Sequence, residues 1–354
     1  MTAFDWEART LNANGHRIRV HIAGESGPLV ILCHGFPESW YSWRHQLDAL
    51  SAAGYRAVAL EMRGYGRSYK PTHYVEYRIT ELVADAVGVV EALGEKTAII
   101  MGHDWGSPVA WTAAWTRPDV FTAVVGMSVP FGGRGLHALP GDPFGDIRPS
   151  IAHRQLAAPG ALFYQEHHKL PGGAGEEDAE KDIRSWMTNL MVAVSAQATQ
   201  PPGFENTDLT KLSSDKVLEY VAATMSLPLG EGYSTVLPVA EKLPDWLDES
   251  DIDVYVSEFE YSGFTGALNY YRAQDLNWEL LAAYQGKQVT VPALFLGGDK
   301  DIATIWGQDA IARADEALAD NRGQIIVEDC GHWIQQERPD IVNKELINFL
   351  QGLD

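Results

Sequence analysis

The sequence has no apolar run of the roughly 20 residues that a helix needs to cross a bilayer, so no membrane partner is expected. It is also short of positive charge: 27 lysines and arginines stand against 48 aspartates and glutamates, a net charge of −21. That balance argues against nucleic acid and anionic membrane surfaces as partners. The acid gathers around Gly175 to Asp182 and Asp245 to Glu260, which are expected to be solvated faces. Cysteine is scarce, and Cys33 and Cys330 alone make no disulfide framework. Both are expected as small buried hydrophobes in a reduced, cytoplasmic protein. Met1 to Arg9 carries Asp5, Trp6 and Glu7 and lacks the basic and apolar regions of a secretory leader. Metal-ligand spacing is missing too: His167-His168 is an adjacent pair, which on a helix does not share a face, and it reads as surface. Gly64-Tyr65-Gly66 opens no helical run, so no phosphate or dinucleotide loop is expected. No cofactor is called for, and no internal repeat is evident.

What remains is an ordinary globular composition, 45% hydrophobic and 21% charged, in 354 residues. That length suits one large domain or a domain carrying a sizeable insertion. Arg17 to Ile22 alternates like a half-exposed hairpin strand, whereas Leu29 to Cys33 is solidly apolar, as in a strand buried on both faces. Helical spacing follows at Trp43 to Ala53, a strand at Tyr55 to Leu60, and a glycine-rich loop at Arg63 to Ser68. Ile79 to Leu93 has helical spacing and stops at Gly94. Thr97 to Met101 and Phe121 to Met127 read as strands, with a helix at Val109 to Thr116 between them. This alternation predicts a mainly parallel α/β sheet flanked by helices. From Phe131 to Pro149 glycine and proline mark a linker, and from about Ser150 to Gln285 the chain reads as helical or irregular, without a convincing buried strand. The strand rhythm returns at Val291 to Leu296 and Gln324 to Val327, and Asp340 to Leu350 closes the chain as a helix. The expected organisation is an α/β core over 1–130 and 286–354, a linker over 131–149, and a helical lid over 150–285 above the carboxyl edge of the sheet, where open α/β sheets bind ligands.

The strand at Thr97 runs into Gly102-His103-Asp104-Trp105-Gly106, and helix-forming residues follow. This has the spacing of a nucleophile elbow, with aspartate where serine usually stands. Asp104 is ionised at pH 7, given a reference pKa of ~3.9, so it attacks carbon without needing a base. Taken alone it reads equally as a helix N-cap. Other strand ends decide between the two. His332 follows the last strand, in the chain order nucleophile, acid, histidine. Asp299 and Asp301 both follow the strand before it, and spacing does not choose between them. His34-Gly35-Phe36-Pro37 follows the first buried strand. With all of these in order, an Asp–His–Asp triad outweighs the N-cap reading.

These segments make the chain similar to the soluble epoxide hydrolases of the α/β-hydrolase superfamily, particularly their plant and bacterial forms. The likeness spans nearly the whole chain and is carried by residues 34–44, 63–68, 102–106 and 331–333. The resemblance implies Asp301 as the acid, a cis peptide before Pro37, and Tyr164 and Tyr271 as lid tyrosines. Tyr164 precedes Pro171-Gly172, but Tyr164 to Leu170 lacks the aromatic-glutamine pair usual there, and it reads also as a helix aromatic packed on the core. Glu38 either positions water, as its family counterpart does, or is a surface-loop charge.

The chemistry suits these residue types. A serine opening an epoxide would leave an ether that water cannot readily cleave, whereas aspartate leaves a hydrolysable ester. Tyrosines remain protonated at pH 7 and donate to the opening ring oxygen. His332, oriented by Asp301, activates water, and the amides of Phe36 and Trp105 hold the oxyanion. The expected partners are a small apolar epoxide and water, with the oligomeric state, monomer or homodimer, left open. Trp105, Phe131, Trp186, Met187, Leu268 and Trp333 are candidates for the substrate pocket. A haloalkane dehalogenase would have asparagine at Phe36, a fluoroacetate dehalogenase arginine at Trp105, and a serine esterase a second glycine after Gly126-Met127-Ser128. A non-catalytic receptor on the same fold would have no need for all of these groups together.

Overall fold

A computed structural model describes residues 6–205 and 207–353; Met1–Asp5, part of the stretch read for leader features, lie outside them. Eight strands form the main sheet: β1 (Glu7–Ala13), β2 (His16–Ala23), β3 (Leu29–Cys33), β4 (Arg56–Leu60), β5 (Ala98–His103), β6 (Phe121–Met127), β9 (Val289–Gly298) and β10 (Leu318–Val327). Two short strands, β7 (Ala161–Phe163) and β8 (Ser226–Pro228), pair separately. The order in the large sheet is β1-β2-β4-β3-β5-β6-β9-β10. β1, β2 and β4 pair antiparallel, and every pairing from β4 onward is parallel.

The solid apolar runs are strands with both faces covered. In β3, Val30 and Leu32 pack on one face with Leu47 and Leu50 of helix α1 (Arg44–Ala52) and Leu346 of the closing helix Pro339–Gln351. Ile31 and Cys33 point the other way, toward Leu82 and Ala86 of helix α2 (Ile79–Ala92) and Val109 and Ala113 of helix α3 (Gly106–Thr116). This is the two-residue alternation of a strand with apolar side chains at every position. α3 is buried from Gly106 to Trp115 because it crosses the centre of the sheet. Asn14 and Gly15, with φ of 50° and 74°, close the β1–β2 hairpin, the left-handed pair that a two-residue turn requires.

Three expectations change. β5 runs two residues past Met101, so Gly102 and His103 belong to the strand. β10 starts at Leu318, six residues before Gln324, because its polar first half pairs with β9 through two register shifts and hides the alternation. The segment between β6 and β9 is mostly helical but contains the β7–β8 pair, whose strands are too short for a periodic signal. Among the described residues no helix is long and apolar enough to cross a membrane.

Candidate active site

A tight turn joins β5 to α3. Asp104 occupies it with φ of +49°, a left-handed conformation unusual for any residue with a side chain. Backbone crowds it on both sides: a Cβ on Gly102 would lie 2.0 Å from the Gly106 carbonyl oxygen, and one on Gly106 would lie 1.9 Å from that of Cys33. The glycines let the elbow approach the end of β3, and there the Phe36 amide donates to Asp104 Oδ1 at 2.6 Å. The Phe36-Pro37 peptide is cis. Trp105, the residue before α3, makes no such bond to Asp104 among the described residues.

On the other side of Asp104, His332 Nε2 stands 3.5 Å from Oδ2, and His332 Nδ1 lies 2.9 Å from Asp301 Oδ1. Asp301 also accepts from the Ala303 amide at 3.1 Å and the Thr304 hydroxyl at 2.9 Å. Asp299 is turned elsewhere and accepts from the Cys330 amide at 3.0 Å. Ser128, at the end of β6, reaches His332 Nδ1 at 3.0 Å. Burial works against a charge on His332, but the Asp301 and Asp104 carboxylates outweigh it and hold the imidazole well above its usual range. Burial likewise pushes both carboxyls up, and the imidazole between them prevails, so Asp104 and Asp301 lie below the ordinary carboxylate range. These directions favour an imidazolium between two carboxylates.

Glu38 is fully buried and not a surface charge. Its Oε2 meets His103 Nδ1 at 2.6 Å and the Gly35 amide at 3.0 Å, and Oε1 accepts from Gln335 Nε2 at 2.9 Å. His103 Nε2 in turn lies 2.7 Å from the His332 carbonyl oxygen. Glu38 thus braces the loop carrying His332 and does not border the cavity.

A cavity of about 1200 Å³ opens above the carboxyl edge of the sheet and is bordered by Phe36, Asp104, Tyr164, Tyr271 and His332. The two tyrosine rings lie 6.2 Å apart, and Tyr271 packs 5.5 Å from Phe36. Burial raises both hydroxyls above the usual phenol range, so they hold their protons. Tyr164 Oη accepts from Gln165 Nε2 at 2.8 Å, and Gln165 is fixed by Gln274 at 2.7 Å. That bond leaves the Tyr164 proton free. Sequence reasoning missed Gln165, Gln274 and Ser128, since a glutamine pair or a lone serine carries no motif.

Of the six pocket candidates, Trp333 borders the cavity, and the other five pack into the core. Trp105 is wedged between Tyr270, Tyr271 and His137. Phe131 packs on Trp111 and Trp115 behind α3. Trp186 packs on Phe264 and donates to Asp178 at 3.2 Å, while Met187 and Leu268 are buried among apolar neighbours. Apolar character marks burial, not which buried surface meets the cavity. His167 and His168 are likewise buried rather than on the surface, because their short helix, Tyr164–His168, is covered on several sides. His168 and His137 border the cavity. The acidic stretches are not uniformly solvated either: Asp251 is buried against Tyr41, whose hydroxyl donates to it at 2.9 Å. Cys33 and Cys330 are buried free thiols, and burial pushes Cys33 up to about 12.

Residues 28–158 match the family model described as alpha/beta hydrolase fold. Epoxide hydrolase B of Mycobacterium tuberculosis is 47% identical over 354 aligned residues, covering 98% of each chain. The structure of an epoxide hydrolase from an endophytic Streptomyces is 44% identical, with a TM-score of 0.87 over 98% of this chain and 96% of that one. The crystal structure of epoxide hydrolase A from Mycobacterium thermoresistibile is 38% identical, with a TM-score of 0.84 over 98% of both chains. The chain belongs to the epoxide hydrolases of the α/β-hydrolase superfamily and is a hydrolase.

Proposed function

We propose that this protein converts an epoxide and water to a vicinal diol through a covalent ester on Asp104. The observation that supports it best is that Asp104, His332, Tyr164 and Tyr271 border one cavity, with His332 within 3.5 Å of the Asp104 carboxylate. Asp104 Oδ1 is held by the Phe36 amide, so Oδ2 is the oxygen that attacks. The Oδ2–carbon bond forms as a ring carbon–oxygen bond breaks, and the ring oxygen takes its proton from Tyr164 or Tyr271. Segment 150–285, which supplies both tyrosines, acts as the lid over a core made of 1–130 and 286–354, joined by the linker 131–149.

Alkylation also prepares the second step. Esterified Asp104 has no charge, so one of the two carboxylates that keep His332 protonated is gone. The imidazole then releases a proton, which balances the one drawn from tyrosine, and becomes the base. Neutral His332, oriented by Asp301, takes a proton from water as the water oxygen adds to the ester carbonyl carbon. The negative charge gathers on Oδ1, where the Phe36 amide already points and the Trp105 amide joins it. Collapse breaks the bond from the carbonyl carbon to Oδ2, His332 returns its proton to the departing diol oxygen, and the carboxylic acid left on Asp104 passes its proton to His332, which restores the starting pair.

One oxygen of the first diol formed therefore comes from Asp104 and not from water. A single turnover in heavy-oxygen water, with enzyme in excess, is expected to give unlabelled diol and labelled enzyme. Labelled diol from that first turnover would mean direct attack by water and would sink the ester mechanism.

A further inference from the structure

His168 ends the helix that begins with Tyr164 and borders the cavity while only 3% exposed. Its ring lies 4.7 Å from that of Tyr271, 5.7 Å from Tyr164 and 5.4 Å from Phe36, whose amide holds Asp104. The imidazole is therefore next to both lid tyrosines and to Phe36. Its Nδ1 is sealed off without a partner, on the side of Gly175, where a Cβ would lie 3.9 Å away. Nε2 makes no hydrogen bond among the described residues and is not sealed off in this way. Burial, with His167 and Arg272 adding to it against Asp104, holds the ring well below the usual imidazole range. A neutral imidazole has one donor and one acceptor nitrogen. Val129, Leu190, Ile302 and Trp306 supply apolar parts of a mixed cavity wall, and His168 is a polar group of that wall close to the two tyrosines.

We propose that His168 Nε2 hydrogen-bonds a hydroxyl substituent beside the epoxide ring, so that hydroxyl-bearing epoxides are preferred over hydrocarbon epoxides of the same size. The inference rests on the epoxide-opening reading and departs from the purely apolar substrate expected of the sequence. A hydroxyl both donates and accepts, so it matches either tautomer of the ring. A carboxylate would be repelled by the Asp104 charge, and a methyl group would leave Nε2 unpaired.

The test compares phenylglycidol with the analogue in which a methyl group replaces its hydroxyl. The wild type is expected to show a kcat/KM for the alcohol about tenfold above that for the analogue, as one hydrogen bond supplies. His168→Phe is expected to bring that ratio near one, and His168→Gln, which keeps a donor and an acceptor, to retain part of it. A ratio of two rates from one preparation is insensitive to how much enzyme is folded, so a purely structural role would not move it. A wild-type ratio near one, or an unchanged ratio in His168→Phe, would overturn the inference while leaving epoxide hydrolysis intact. Opening of neither compound would overturn both.

Discussion

At the scale of single residues, the site is governed by charge compensation in a buried place. Carboxylates on both sides of His332, 3.5 Å away at Asp104 and 2.9 Å away at Asp301, raise its pKa and favour the protonated form. Asp104→Asn mimics the loss of charge on esterification, so the His332 pKa is expected to fall, as followed by NMR of the imidazole. An unchanged or raised value would mean that Asp104 does not control the base. In the proposed mechanism the tyrosines act in the other half of the reaction. Tyr164→Phe and Tyr271→Phe are each expected to slow alkylation by about 10²–10⁴-fold, the usual range for a positioned general acid. Stopped-flow fluorescence of the nearby tryptophans reads that step; losses confined to ester hydrolysis would assign the tyrosines differently.

At the scale of elements, the elbow works because three backbone segments meet without side chains between them. Gly106→Ala would drive a Cβ to 1.9 Å from the Cys33 carbonyl oxygen at the end of β3, and a loss of about 3 kcal/mol is expected from the overpacking, measured by denaturant unfolding. Full stability in that variant would show that the elbow relaxes more easily than its contacts imply. These elements were also the legible part of the sequence. The strands β3, β5 and β6 are apolar at nearly every position, and Asp104 and His332 are legible as candidates from order and spacing, whereas spacing leaves Asp299 and Asp301 open and the choice of Asp301 comes from the family resemblance. The first half of β10 is illegible because Asp320, Asn321, Arg322 and Gly323 interrupt its pattern, and β7 and β8 because three residues carry no period. The pocket wall was least legible. Trp105 and Trp186 are as aromatic as Trp333, and only packing between distant segments decides that Trp333 meets the cavity. The surface position expected of His168 fails because a short helix gives no amphipathic signal of its own.

At the scale of the whole molecule, the proposed mechanism requires the segment bearing the tyrosines to hold its place over Asp104. Helix Glu249–Ser262 is tied to the core by buried polar contacts: Tyr41 donates to Asp251 at 2.9 Å, Arg44 lies 3.4 Å from it, and Arg44 and Tyr255 both donate to Gln336, at 2.7 Å and 2.8 Å. Asp251→Ala removes the carboxylate facing a buried arginine. A loss of about 1–3 kcal/mol in unfolding free energy is expected, since Arg44 keeps Gln336 as a partner; no loss would mean the helix is held by apolar packing alone. Stability should also depend on pH at both ends. Asp104 and Asp301 have lowered pKa values when folded, so their contribution is present above about pH 4 and lost as pH falls through the folded values. His332 is raised, so its contribution is full below about pH 6.5 and lost as pH rises through the folded value. Asp301→Asn is expected to flatten both limbs in denaturant midpoints measured across pH.

The central claim is that carbon bonds to Asp104 before water acts, and trapping that ester tests it most directly. His332→Gln removes the base and leaves the nucleophile, so incubation with an epoxide should add the mass of one epoxide to the intact protein. Peptide mapping should locate that mass on Asp104. An active wild type whose His332→Gln variant forms no adduct, or carries it on another residue, would contradict the account.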